Sequence, residues 1–299
     1  MKTVFILNPK SEPKGQYRLM EEIKKNYKDK EYIIEKSKSH KYAMHIAQKY
    51  ALQDEDYHIF SCGGDGTLHE IINGIAGAKN IKLSIYPIGT GNDFVKYFED
   101  YKKEDFYDLS KYKNPKEIKS DLLKVDGEFA INTISFGFDV YAAKHVNEFR
   151  DKLPIRGKLP YLLGAAKGLS QPLYQTYNIQ IDDHKPLEQE YSFVVFTNGR
   201  FYGGGYKPCP DAKVDDGMMD ICLIKKVNLI HVMKLIKKYE KGLHVSYTDL
   251  VTIDKAKTVH LNTNNEEILA CLDGEIRPIK NPTIEVSDKK IQLLIPAKE

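Results

Sequence analysis

No apolar run in this 299-residue chain reaches the ~20 residues that a helix needs to span a bilayer. The amino terminus, "MKTVFILNPK", is apolar for only a few residues before Asn8-Pro9. That is too short for a signal-peptide core and reads as a first strand. Only four cysteines occur, Cys62, Cys209, Cys222 and Cys271, and none forms a CxxC pair. Their scatter excludes a disulfide frame or a cysteine zinc site and points to a reducing compartment. The nine histidines make no HExxH or other paired metal spacing, so His69 and His145 read as ordinary helix or surface residues. Charge of one sign is also missing. A net +3 with pI near 8.4 argues against a nucleic-acid binder, although a locally basic face could meet anionic lipid or nucleotide. Internal repeats and low-complexity segments are absent. The expectation is a cytosolic protein whose membrane contact is transient and peripheral.

What is present is a globular composition, 41% hydrophobic and 29% charged, in a chain long enough for two domains. Up to about residue 121, strand-like and helix-like runs alternate. "TVFILNP" is followed by "YRLMEEIKKNY", with Leu19, Met20, Ile23 and Tyr27 at helical spacing. "EYIIEKS" precedes "KYAMHIAQKYAL", and "YHIFSC" precedes a glycine turn and "LHEIINGIAG". This alternation predicts a Rossmann-like, doubly wound parallel sheet. From residue 122 the runs are mostly β-type, broken by Asp-Gly, Asn-Gly and Asp-Asp turns, which predicts an antiparallel β-sandwich. Two helical stretches stand out there, "YLLGAAKGL" and "LIHVMKLIKKYEKGL". The expected domains are 1–121, α/β, and 122–299, mainly β. The charged stretch "YKKEDFYDLSKYKNPKEIKS" before the boundary reads as surface and linker.

The turn "GGDGT" (Gly63, Gly64, Asp65, Gly66, Thr67) sits where a strand hands over to a helix. Glycines let a backbone approach phosphate oxygens, and a helix amino end favours negative charge. Thr67 can donate a hydroxyl or cap the helix. The turn has neither the lysine of GxxxxGK[ST] nor the spacing of GxGxxG. Asp65 would repel a phosphate unless a cation compensates it, which suggests magnesium. A second turn, "PIGTGNDF", brings Thr90, Asn92 and Asp93 to the end of the next strand. Two acid-bearing glycine turns at neighbouring strand ends point to one ligand site. Either turn alone could be a plain strand-to-helix connection.

"GGDGTLHEIING" and "PIGTGNDF" together resemble the diacylglycerol kinase catalytic domain family, in particular its soluble bacterial lipid-kinase branch. "FTNGRFYGGGYKPCPDAKVDDGMMDICLI" resembles that family's second-domain signature, and "LDGE" (Leu272 to Glu275) its late catalytic segment. Four motifs in the family's order cover almost the whole chain.

The resemblance implies that Gly63 to Thr67 and Thr90 cradle the phosphates of ATP, with Asn8 and Ser37 touching the nucleotide. Two positions depart from the family pattern. Glu12 replaces a glycine in "NPKSEPKG", and Ser37 stands where threonine is usual. The resemblance further implies magnesium held by the Asp216 side chain and the carbonyls of Lys213 and Met218, with water linking it to Asp65 and Asp93. A second magnesium arrives with ATP. Asp273 is the implied catalytic base, accepting the proton of a lipid hydroxyl. Glu275, two residues on, would share its face if the strand continues, and is the alternative base. "FYGGGYKP" (Phe201 to Pro208) reads as a flexible loop beside the site. "KLPIRGKLPYLLGAAKGL" (Lys152 to Leu169) could touch lipid or pack on the sheet.

The expected function is ATP- and magnesium-dependent phosphorylation of a lipid hydroxyl, with diacylglycerol giving phosphatidic acid as the leading case. The expected partners are a membrane lipid and ATP, no nucleic acid, and a second copy in a homodimer. Two rivals stand beside it. A soluble-metabolite kinase of the NAD kinase type also uses a GGDG turn. A non-catalytic nucleotide- or lipid-binding regulator should have lost acids, whereas Asp65, Asp93, Asp216 and Asp273 all remain.

Overall fold

The computed structural model describes residues 1–144 and 173–298, which divide into two units. The first comprises Met1–Leu122 with Ser287–Glu299, and the second Leu123–Val286. The segment Lys152–Leu169 and His145 lie outside the described residues.

In the first unit the strands are β1 (Lys2–Leu7), β2 (Tyr32–Lys36), β3 (Tyr57–Gly63), β4 (Ile81–Pro87) and β5 (Lys116–Ser120). The last strand of the chain, β17 (Ile291–Ile295), joins them, giving the order β2-β1-β3-β4-β17-β5. All neighbours are parallel except β5, which runs antiparallel to β17. Every residue of β3 is buried, as expected for a strand covered on both faces. Three helices connect the strands, α1 (Pro13–Asn26), α2 (Tyr42–Ala51) and α3 (Asp65–Ile75). Pro13 opens α1 where a missing N–H costs nothing. Leu19 and Ile23 of α1 pack with Phe5, Phe60 and Tyr86 of the sheet. At the start of α2 the carboxylate of Glu70 takes the N–H groups of Lys41 (2.8 Å) and Ala43 (3.0 Å). Glu70, on α3, thus caps α2 and ties the two helices together.

Two sequence expectations change here. The final strand does not belong with residues 122–286, because "IQLLI" returns to the first sheet beside β4. Asp121, fully buried, holds the return by an ion pair to Lys290 at 2.6 Å, and Ser287 N–H donates to the Leu122 carbonyl. The charged stretch 101–120 is not a linker either. It folds into two short 3-10 turns and β5, with Phe106, Tyr107, Leu109 and Tyr112 buried. Four large apolar side chains at these positions outweigh the surrounding charge, which stays at the surface.

The second unit is an antiparallel β domain. Its strands are β6 (Leu123–Val125), β7 (Glu128–Ala130), β8 (Thr133–Gly137), β9 (Gln175–Ile181), β10 (Leu187–Thr197), β11 (Met219–Lys225), β12 (Val251–Ala256), β13 (Thr258–Asn262), β14 (Ile268–Leu272), β15 (Glu275–Ile279) and β16 (Thr283–Val286). The main path runs β15-β14-β8-β10-β9-β13-β16-β6-β7, with β11 and β12 branching from β10. The long strand β10 makes this possible. Its first half pairs with β9, and its second half lies between β8 and β11, beyond a bulge at Tyr191/Phe193. The hairpins β6–β7 and β14–β15 turn through Asp126-Gly127 and Asp273-Gly274. Both residues of each pair have positive φ, from 48° to 101°, as a tight two-residue turn requires. One helix, α4 (Leu229–Glu240), follows β11.

Candidate functional site

In the first unit the candidate residues gather at the carboxyl ends of β1, β3 and β4. The strand order reverses its direction of growth between β1 and β3, which is where doubly wound sheets bind ligands. Asn8, the first residue past β1, donates from Nδ2 to the Thr67 hydroxyl at 3.1 Å, bridging that switch point. The Asn8 N–H donates to the Cys62 carbonyl of β3. Ser37, just past β2, is nearly buried and donates its N–H to the Leu7 carbonyl.

The two glycine turns touch. A Cβ on Gly89 would strike the Cα of Gly64, so position 89 must be glycine for the turns to meet, and a Cβ on Gly64 would sit tightly at 3.1 Å from Gly89. A Cβ on Gly63 would likewise strike the side chain of Thr67. Asp65 Oδ1 accepts the Asp93 N–H at 2.7 Å, and Gly91 lies close against Oδ2. Asn92, at φ 51°, closes its own turn through Nδ2 to the Gly89 carbonyl and through Oδ1 from the Gly89 N–H. Asp93 pairs with Lys96 at 2.6 Å, and Thr90 is exposed. Asn92 therefore shapes the second turn, and Asp65 holds the first against it. The first turn of α3 has no side-chain cap. An uncapped helix amino end beside a glycine cradle fits a phosphate group. Glu12, the departure from the family pattern, points its N–H to the Ile88 carbonyl at 3.2 Å, and Gly15 packs tightly against Ile88.

In the second unit, Asp273 is clamped. Its Oδ1 accepts the N–H groups of Asn132 (3.0 Å) and Thr133 (2.8 Å), and its Oδ2 accepts that of Ile131 (2.9 Å). In return the Asp273 N–H donates to the Thr133 carbonyl. Asn198 braces the same segment from β10, donating Nδ2 to the Ile131 carbonyl and its N–H to the Asn132 carbonyl. The orientation of the carboxylate is fixed by a strand start about 140 residues earlier. Glu275 does not share its face along a continuing strand. The chain reverses at Asp273-Gly274, and Glu275 opens the return strand opposite Leu272.

The segment expected to hold magnesium forms a turn in which Asp216 Oδ1 accepts the Met218 N–H at 3.1 Å. Asp216 Oδ2 meets Lys255 Nζ at 2.6 Å, and Asp220 lies 3.5 Å from the same ammonium. Burial, reinforced by Asp216, pushes the Asp220 carboxyl up to about 6 despite Lys255. Among the described residues, no three acidic, histidine or cysteine side chains cluster as a metal cage. The donors present are hard oxygens, and Asp220 Oδ2 is a buried acceptor whose contact with Lys255 is long, at 3.5 Å. Such a set fits a cation that keeps most of its own waters, provided Lys255 swings aside. Lys213 and Met218 would take part only through backbone carbonyls.

Sequence reasoning passed over several residues. Asp121, Lys255 and Asp220 carry no motif of their own, and tertiary pairing alone makes them conspicuous. Asp139, at the start of the helical stretch 138–144, is pushed up to about 7 by burial, with Ser135 and Tyr202 beside it. "FYGGGYKP" is a closed turn in which Tyr202 and Tyr206 exchange backbone hydrogen bonds. Tyr202 then meets Tyr239 hydroxyl to hydroxyl at 2.9 Å.

Comparison with known proteins agrees with both units. The family described as "Diacylglycerol kinase catalytic domain" matches residues 2–125. The family described as "YegS C-terminal NAD kinase beta sandwich-like domain" matches residues 132–295. A protein of Staphylococcus haemolyticus named "Putative lipid kinase" is 30% identical over 258 residues, covering 85% of this chain and 81% of its own. A "Putative lipid kinase" of Staphylococcus aureus is 29% identical over the same length, covering 85% and 82%. The crystal structure of a "putative diacylglycerol kinase" from Bacillus anthracis superimposes with a TM-score of 0.76 at 23% identity, covering 98% of this chain and 96% of that one. A second Bacillus anthracis structure, described as a diacylglycerol kinase, gives 0.71 at 20% identity with the same coverage.

Proposed function

The chain belongs to the diacylglycerol kinase-like family of lipid kinases, and from that premise we propose that it transfers the γ-phosphoryl group of ATP to a lipid hydroxyl, diacylglycerol first among acceptors. The observation that carries the nucleotide half is the meeting of the two glycine turns at the ends of β3 and β4, beside the β1/β3 switch point that Asn8 bridges to Thr67. Backbone N–H groups from Gly63 to Thr67, with the α3 amino end, receive the phosphates. Ser37 and Thr90 add hydroxyls at the rim.

In the proposed step the acceptor oxygen attacks the γ-phosphorus and the bond to the bridging oxygen breaks, leaving ADP. The acceptor's proton passes to the Asp273 carboxylate. Three backbone donors hold that group at one angle, so little reorientation is needed during the transfer. Asp216, with the carbonyls of Lys213 and Met218, would hold magnesium, whose charge offsets that developing on the phosphates. Glu275, on the far side of the turn, is the second candidate base.

The test uses purified protein, labelled ATP, magnesium and mixed micelles of single candidate lipids, with NAD as a soluble acceptor. Label in diacylglycerol that vanishes in Asp273→Asn supports the reading. Label in NAD alone refutes it.

A further inference from the structure

We infer that the outward face of α4 is a docking surface for an anionic lipid bilayer. The helix begins at Asn228, whose Oδ1 accepts the His231 N–H at 3.0 Å. Its inner side is anchored by Leu235 and Tyr239, and Tyr239 stacks among Phe193, Tyr206 and His244. The opposite side is where the unusual composition lies. At 3.6 residues per turn, Ile230, Lys234, Lys237 and Lys241 fall on one narrow stripe. Ile230 is 62% exposed, and Leu243 in the following 3-10 turn 57%.

From Lys225 to Lys241 there are six lysines and one carboxylate, Glu240. Lys226 is paired with Glu190, and Lys238 leans on the Tyr247 ring. Lys234, Lys237 and Lys241 have no such partner among the described residues. Lysines in a last turn complement the helix dipole. That accounts for Lys237 and Lys238, but not for Lys234 or for branched apolar side chains left in water beside them. Cations with aliphatic groups on one outward helix face suit a headgroup layer over hydrocarbon. A nucleic acid or an acidic peptide would answer the lysines and leave Ile230 and Leu243 without a use. The inference rests on the lipid-acceptor reading. Among the described residues no helix is long and apolar enough to cross a membrane.

The test is flotation of the full chain with vesicles of phosphatidylcholine, or of phosphatidylcholine and phosphatidylglycerol at 7:3, at low and high salt. The wild type is expected to float with the anionic vesicles only, and less at high salt. K234Q/K237Q/K241Q should lower partitioning about 100-fold, near fivefold per lysine. I230S/L243S should lower it roughly 10-fold at either salt. The control K28Q/K79Q/K185Q, exposed lysines elsewhere, should stay within about threefold of wild type, and thermal unfolding should confirm that every variant is folded. The proposal is overturned if the triple glutamine variant floats like wild type, or if the control loses as much. It is equally overturned if I230S/L243S changes nothing, which would leave a general polyanion site, or if the wild type does not float. Flotation needs no turnover. Protein that phosphorylates lipid in micelles but does not float refutes the docking face alone, and protein that floats but transfers nothing refutes only the kinase reading.

Discussion

The two units hold their candidate residues by opposite means. In the first, the strand-to-helix turn Gly63 to Thr67 meets the turn Gly89 to Asp93 where Gly64 and Gly89 lack side chains, so one backbone rests on another. In the second, Asp273 is held by its own side chain, through amides more than 130 residues earlier in the chain. A cradle made of absences is sensitive to added atoms, whereas a clamp made of a carboxylate is sensitive to lost ones. The two should therefore fail differently under mutation.

Asp273→Asn should show the largest effect, a fall in turnover of about 10²- to 10⁴-fold. Asp273→Ala should add instability of about 1–3 kcal/mol, because three amide donors lose their acceptor. Urea unfolding beside kinase assays separates the two losses. If Asp273→Asn keeps full turnover, the clamp is structural and the base lies elsewhere.

In the first unit the matching change is an addition. Gly89→Ala should push the glycine turns apart, costing about 3 kcal/mol and abolishing nucleotide binding measured by calorimetry. Gly217→Ala is the control from the second unit, with φ +73° but no atom within 4 Å of the added methyl. It should cost only the backbone strain, about 1–2 kcal/mol. Equal costs for the two glycines would erase the distinction drawn here.

Lys290→Met tests the seam that returns β17 to the first unit. It strips Asp121, fully buried, of its ion pair. Because Lys290 is itself partly exposed, the expected loss is about 1–3 kcal/mol, less than for a wholly buried pair. Denaturant titration should show it without a change in the slope.

Two further predictions concern pH, and they have opposite signs in the two units. Burial, with Lys82 nearby, lowers His58 to about 3, against 6.5 for the unfolded chain. The unfolded state then binds the extra proton, so stability falls as pH drops from about 6.5 toward 3. Burial raises Asp139 to about 7 from 3.8. Here the folded state holds the extra proton, so its contribution is complete below about 3.8 and lost as pH rises through about 7. Thermal unfolding across this range should flatten on the acid side in His58→Gln and toward neutral pH in Asp139→Asn. An unchanged profile in Asp139→Asn would show that its carboxyl is already ionised.

How far each unit could be read in the sequence follows from the same contrast. Glycine turns, alternating strands and helices, and Asp-Gly hairpins are local, because the residue types at a turn are set by the backbone angles of that turn. Asp126-Gly127 and Asp273-Gly274 were legible for that reason, and Gly63 to Thr67 because a run of glycines marks a close backbone approach. "YKKEDFYDLSKYKNPKEIKS" was misread because its charges dominate the composition while its aromatic side chains decide the packing. "IQLLI" carries nothing that says which sheet it will enter, since any buried edge accepts a short aliphatic strand. Glu275 was placed on the face of Asp273 by a strand that in fact ends one residue earlier.

By itself, the sequence determined the order of elements, the glycine cradle and the presence of acids at Asp65, Asp93, Asp216 and Asp273. These follow from local backbone demands and from residue chemistry. Only the tertiary structure decided that Asn8 would meet Thr67, that Asp273 would be gripped by Ile131, Asn132 and Thr133, that Lys255 would sit against Asp216, and that β17 would return to the first sheet. Each joins segments tens to hundreds of residues apart, and such contacts depend on the packing of whole sheets rather than on any short stretch of chain.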